Sequence, residues 1–163
     1  MPTGSGTSSS SRPRWSRGTL REGFSLYRRL AHPFARAVFQ MFLVSEVHPF
    51  GDGNGRIARV MMNAELVAAA EQRIIIPQVY RNNYLMGLRA LTVNGRSDAL
   101  IRTLDFAQRY TAALDFTEFD ETRATLENPN AFADPVEADA TGVRLTLPEL
   151  TQPGEPWQIT AGP

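Results

Sequence analysis

His48-Pro49-Phe50-Gly51-Asp52-Gly53-Asn54-Gly55-Arg56-Ile57-Ala58-Arg59 packs three glycines into five residues, between a proline and an apolar run. Glycines at this density give a tightly curved backbone with few side chains in the way. Helical periodicity follows at once, so the stretch reads as a loop that opens directly into a helix. Such a junction presents free backbone N–H groups beside the positive end of a helix dipole, which is an anion-binding arrangement.

Outward from the loop, the chain reads as helical on both sides. Leu20, Phe24, Tyr27 and Leu30 recur at spacings of three and four and share a face. Pro33 breaks that segment. A second helix is expected from about Phe34 to Val47, with Ala35, Val38, Phe39, Phe42 and Leu43 on one face; Pro49 ends it. The helix after the loop should run from about Gly55 to Ala70, burying Ile57, Val60, Met61, Ala64, Val67 and Ala68. Residues 73–77, RIIIP, form a short extended connector. A helix over about Arg81–Thr92 and a turn at Asn94-Gly95 lead to a long helix from Ser97 to about Phe116. Its core face would carry Ala99, Leu100, Thr103, Leu104 and Ala107. Leu88 and Phe106 join the expected core. An acidic helix near 118–127 follows, and Val143, Leu145 and Leu147 alternate like one strand. The expected fold is therefore all-α, a helical bundle with a glycine-rich anion-binding loop between two central helices. Residues 1–17 form a polar Ser/Gly/Pro-rich leader expected to be disordered, 18–116 the helical core, and 117–163 a C-terminal extension and tail.

Composition narrows the chemistry. The 163 residues include no cysteine, which excludes disulfides, thiolate metal sites and cysteine nucleophiles. His32 and His48 are the only histidines, which argues against a zinc site built on histidine. Lys plus Arg and Asp plus Glu number 17 each, so no charge footprint favours nucleic acid or a membrane surface. No apolar run approaches a membrane span, and a cytoplasmic location is the default expectation.

Arg56 and Arg59 lie three residues apart on the helix after the loop and share a face, joined by Asn63. Two guanidinium groups beside an N–H nest suit a polyphosphate. Asp52 sits within this anionic site, where a divalent cation would relieve its repulsion of phosphates; Mg2+ binds through one or two carboxylates plus substrate phosphates. His48, just before the loop, can take a proton from an incoming hydroxyl near neutral pH. Singly these residues read more simply: His48 as a helix C-cap or core histidine, Asp52-Gly53 and Asn54-Gly55 as turn dipeptides, and the arginines as a solvated face. Their conjunction matches the parts that phosphoryl-type transfer requires.

That conjunction resembles the signature of the Fic (Fido) family at all nine of its specified positions, and the resemblance extends over about residues 20–116. It implies transfer of AMP from ATP to a Ser, Thr or Tyr hydroxyl of a target protein. His48 would be the general base, Phe50 a buried loop anchor, and Asp52 the Mg2+ ligand. Gly53, Asn54 and Gly55 would form the anion hole, and Arg56 and Arg59 would contact the β- and γ-phosphates. Tyr84 and Asn94 are placed plausibly for a nucleobase, although core packing and a turn explain them equally well. His32-Pro33-Phe34 repeats the first triplet, but no glycine, carboxylate or paired arginine follows it.

The family's two-stranded flap for target docking has no counterpart, so the chain resembles a C-terminal portion of a larger Fic protein. No inhibitory helix of the family's pattern is found: Glu22-Gly23 and Glu127-Asn128 lack the required Ser or Thr. A separate inhibitory or antitoxin partner is compatible with this. Two alternatives stay open, a truncated, inactive helical interaction module and Fic-type transfer of another nucleotide or of a phosphate.

Overall fold

A computed structural model describes residues 16–127, 130–143 and 145. The expected leader up to residue 15 and the position of Leu147 lie outside these. Seven α-helices are found among the described residues, and no strand. The chain divides into two compact units, Met1–Ala69 and Ala70–Pro163. None of the described helices is long and apolar enough to cross a membrane.

In the first unit, α1 spans Ser16–Tyr27, α2 Pro33–Val47 and α3 Asn54–Ala68. Pro33 occupies the first turn of α2, after an extended His32; its ring presets the helical φ, and its missing N–H would have had no partner there. The helix buries Phe34, Ala37, Val38, Met41, Leu43 and Val44, while Phe39 and Phe42 are only half-buried. α1 approaches α2 closely at Gly23, where a β-carbon would stand 2.4 Å from a methyl of Leu43.

The expected inward face of α3 is corrected by the structure. Asn54, Ala58, Met62 and Leu66, a row at intervals of four, are the buried residues. Val60 is 67% exposed and Val67 56%; Ala64 and Ala68 are exposed, and Ile57 and Met61 half-buried. The physical reason is that α3 carries apolar residues on both flanks of its Arg56-Arg59-Asn63 face. Periodicity offers two stripes about one residue apart, and packing selects the one continuous with Asn54.

One polar cluster ties all three helices together. The Tyr27 hydroxyl and Arg36 Nε both donate to the carboxylate of Glu65. Arg36 Nη2 also donates to Tyr27 Oη at 2.7 Å, and its guanidinium lies 4.4 Å from the centre of the tyrosine ring. Burial would raise the Glu65 pKa, but the hydrogen bonds from Tyr27 and Arg36 and the arginine's charge outweigh it, and the net direction is down. Burial first, then the bond to Glu65, raises the Tyr27 phenol.

In the second unit, the 3-10 turn Gln78–Tyr80 leads into α4, Arg81–Asn94, followed by α5, Asp98–Ala112, α6, Phe119–Glu127, and α7, Pro135–Thr141. Gly95, at φ 65°, ends α4 in a left-handed cap. Gly87 lets α4 and α5 meet backbone to backbone: a β-carbon there would stand 2.9 Å from Leu100 Cα. Leu100, Leu104, Ala107, Tyr110 and Thr111 face inward on α5; Ala99 is exposed, and Leu88 and Phe106 are half-buried. The Thr111 hydroxyl donates to Ala107 O at 2.7 Å and accepts from Ile75 N–H at 3.1 Å, pinning the 73–77 connector to α5. Asp134 caps α7 by accepting from Val136 and Glu137 N–H, with Pro135 in the first turn. The alternating segment at 143–147 does not pair as a strand where it is described: buried Leu145 donates its N–H to the Tyr80 hydroxyl at 3.3 Å.

Two expectations follow. Glu65 has a lowered pKa in the folded state, so its contribution is complete above the ordinary carboxylate value, about 4.3, and is lost as pH falls through the lower folded value. Glu65→Gln should cost about 1–2 kcal/mol at pH 7, and urea titrations should show wild type and variant converging on acidification; a pH-independent difference contradicts this. Gly87→Ala should destabilise the second unit by about 1–3 kcal/mol through overpacking against Leu100, read from the urea midpoint of the same chain.

Candidate functional site

The turn between α2 and α3 begins at His48, the C-cap of α2. Its N–H still bonds Val44 O at 3.3 Å, but its backbone has turned left-handed, at φ 47° and ψ 57°. Glycine is the usual residue there, and a side chain in that region costs about 1–2 kcal/mol. The cap reading and the catalytic reading therefore fall on the same residue, whose imidazole is exposed.

Phe50 is corrected. The ring expected to anchor the loop in the core is 49% exposed. The backbone of Phe50, and not its ring, is what the fold holds. Phe50 N–H donates to Asn54 Oδ1 at 2.9 Å, and Asn54 Nδ2 donates to Phe50 O at 2.8 Å. One amide side chain thus closes the turn as a backbone strand partner would, from a buried position that is 6% exposed.

Gly53, at φ 77°, is the N-cap residue of α3, and no side chain caps that helix. The first regular bond runs from Ile57 N–H to Gly53 O at 2.9 Å. First-turn N–H groups of a helix have no intrahelical acceptor, and their dipole end favours an anion. Both arginines fold over this end. The Arg56 guanidinium comes within 3.5 Å of where a Gly53 side chain would begin, and Arg59 Nη1 within 3.6 Å of the same point at Gly55.

Asp52 stands at the tip of the turn and accepts from Arg56 Nη2 at 3.2 Å; the two side chains are 92% and 75% exposed. Exposed pairs of this kind are weak and screened by salt, so both partners can exchange for stronger ones. No cluster of three or more metal-ligating side chains occurs among the described residues. Asp52 therefore offers a cation one carboxylate and open faces. That fits Mg2+ held jointly with phosphates and does not fit an all-protein cage.

The loop thus gathers His48, Asp52, Gly53, Asn54, Gly55, Arg56 and Arg59. Tyr84 and Asn94 belong to the other unit: Tyr84 is buried in it, and Asn94 is the exposed last residue of α4. His32 serves as the extended residue ahead of α2. The sequence reading gave Asn54 to the anion hole and missed its side chain as the tie across the turn. The 54-58-62-66 row that marks it as buried is selected by packing and not by local spacing.

Gly53→Ala should lower stability by about 1–2 kcal/mol, because alanine is strained at that φ. Gly51→Ala, with no atom within 4 Å of its β-carbon, should change the thermal midpoint little; equal effects of the two would refute the conformational argument.

The Fic/DOC family model matches residues 2–66. Protein adenylyltransferase Fic of Drosophila yakuba is 42% identical over 53 residues, 32% of this chain and 11% of that protein. The protein of the same name from Drosophila willistoni is 38% identical over 60 residues, covering 37% and 12%. That from Culex quinquefasciatus is 38% identical over 55 residues, covering 34% and 11%. The matched stretch spans about a tenth of the length of these curated relatives. No solved structure matches the chain.

Proposed function

We propose that the Fic/DOC-family segment of this chain transfers AMP from ATP to a hydroxyl side chain of a target protein. The observation that carries the proposal is the uncapped start of α3, with Arg56 and Arg59 folded over it and Asp52 beside it. Printed names of relatives similar over this stretch, protein adenylyltransferase Fic, support the same class of activity.

The nucleotide's phosphates would lie on the N–H groups at Gly53–Gly55, held by Arg56 and Arg59 through charge-assisted hydrogen bonds. Asp52 would hold Mg2+, which supplies charge neutralisation between carboxylate and phosphates. His48 would take the proton of the target Ser, Thr or Tyr hydroxyl as its oxygen bonds to the α-phosphorus. The bond from the α-phosphorus to the bridging oxygen breaks, and pyrophosphate leaves with that oxygen. Preorganised N–H groups and guanidiniums lower the barrier by matching charge that builds on the phosphates during transfer.

Base and clamp are separable by mutation. His48→Ala should retain Mg·ATP binding and lose transfer of label from α-labelled ATP to lysate proteins or to the chain itself. Arg56→Ala should weaken binding by about 1.5–3 kcal/mol, roughly 10- to 150-fold, and transfer with it. Transfer by His48→Ala at the wild-type rate under saturating ATP would eliminate His48 as the base. Normal Mg·ATP binding by wild type with no transfer to any acceptor would favour a non-catalytic helical module.

A further inference from the structure

We infer that the Asn54 side chain is the positioning residue of this site, fixing His48 relative to the start of α3 rather than binding the nucleotide. The inference deepens the proposed transfer reading and rests on it for its kinetic consequence alone; its structural content stands independently.

Both polar atoms of the amide are committed to Phe50, Oδ1 to its N–H and Nδ2 to its carbonyl. The side chain is buried at the head of the row that α3 packs inward. Its oxygen and one of its two amide N–H groups are engaged by Phe50 from a buried position, and the main-chain N–H of Asn54 is the group placed in the first turn of the helix. What the side chain does instead is join residue 50 to residue 54 across a turn that has no other strong restraint among the described residues. The Phe50 ring is half exposed, and the Asp52–Arg56 pair is a solvated one. His48 lies two residues before the tied position, with its backbone already in a left-handed conformation. A left-handed C-cap is usually stabilised by the bonds that follow it. Here the next tether along the chain, among the described residues, is the pair of hydrogen bonds between Phe50 and Asn54. Releasing it lets the turn relax and the imidazole drift from the N–H nest, and a displacement of about 1 Å at a reacting group can cost on the order of 100-fold in rate.

Two variants of similar size separate the bonds. Asn54→Leu keeps the buried volume and loses both. Asn54→Asp keeps an acceptor for Phe50 N–H and places an oxygen against Phe50 O. Amide hydrogen exchange of the whole chain reads the Phe50 N–H directly, with amides of α2 and α3 such as Met41 and Met62 reporting that the unit remains folded. Only two histidines exist, so the imidazole resonances of His48 and His32 are assignable by substitution. In Asn54→Leu, Phe50 exchange should rise at least tenfold, and the His48 resonance should move while that of His32 stays. In Asn54→Asp, Phe50 should stay protected while His48 still moves. Where transfer is measured, kcat should fall about 100-fold in Asn54→Leu with Mg·ATP affinity changed less than threefold. Unchanged Phe50 exchange in folded Asn54→Leu overturns the inference. Should that variant unfold, a His48 resonance unmoved in Asn54→Asp overturns it. A wild type that transfers nothing, combined with the expected exchange pattern, refutes the transfer reading and leaves the positioning role standing.

Discussion

A short turn between two helices that pack against each other has to dispose of polar backbone that no helix ladder serves. In the first unit that burden falls on one buried amide. Asn54 satisfies the N–H and the carbonyl of Phe50 at once, and backbone groups left unpaired away from water cost about as much as a lost hydrogen bond. Because the same residue opens α3, the pairing also fixes that helix's rotation. With Asn54 turned inward, Ala58, Met62 and Leu66 must follow at intervals of four. The exposed side of the first turn is then left to Gly55 and Arg56, with half-buried Arg59 one turn further on, and the chemistry-bearing face is a by-product of the buried one.

The Tyr27–Arg36–Glu65 cluster holds the other end of the same helix. Glu65 lies eleven residues beyond Asn54, about three turns and 16 Å along the axis. Its carboxylate takes bonds from α1 and α2 together. A partly buried carboxylate is costly unless fully partnered, so the cluster constrains which residues can meet there more than it adds raw stability. Between the two polar ties lies an apolar seam that by itself permits several rotations, and the ties select one.

Much of this was legible from the residues. Proline and glycine punctuate the chain, and the helix limits they imply at Pro33, Val47, Asn94 and Gly95 lie within about two residues of those observed. The glycine-rich turn and the two arginines over it needed only local spacing. What failed was the direction of side chains relative to partners far away in sequence. Val60 and Ala64 lie on one of two apolar flanks beside the Arg56-Arg59-Asn63 face, and period alone does not choose between the flanks. Phe50 was expected in the core because the family resemblance implies a buried loop anchor, although an aromatic in a turn is buried only if something comes to cover it. The short helix α7 was overlooked despite its Asp134-Pro135-Val136-Glu137 start, an N-cap, a first-turn proline and an acidic third position, because alternation at 143–147 drew attention to a strand. Asn54 escaped for another reason: a residue inside a recognisable motif attracts a ligand role before a structural one.

His48 is both the last rung of the α2 ladder, through its bond to Val44, and the first residue of the turn. The imidazole is thus mounted on a fifteen-residue shaft, and its bearing about that shaft is set by residue count. Inserting or deleting one residue in α2 would swing it by about 100°, whatever the sequence of the loop. The length of α2 is therefore quantised by the direction in which one ring must point, whereas the substitutions α2 tolerates are limited only by packing. Helix length here behaves as an angular coordinate.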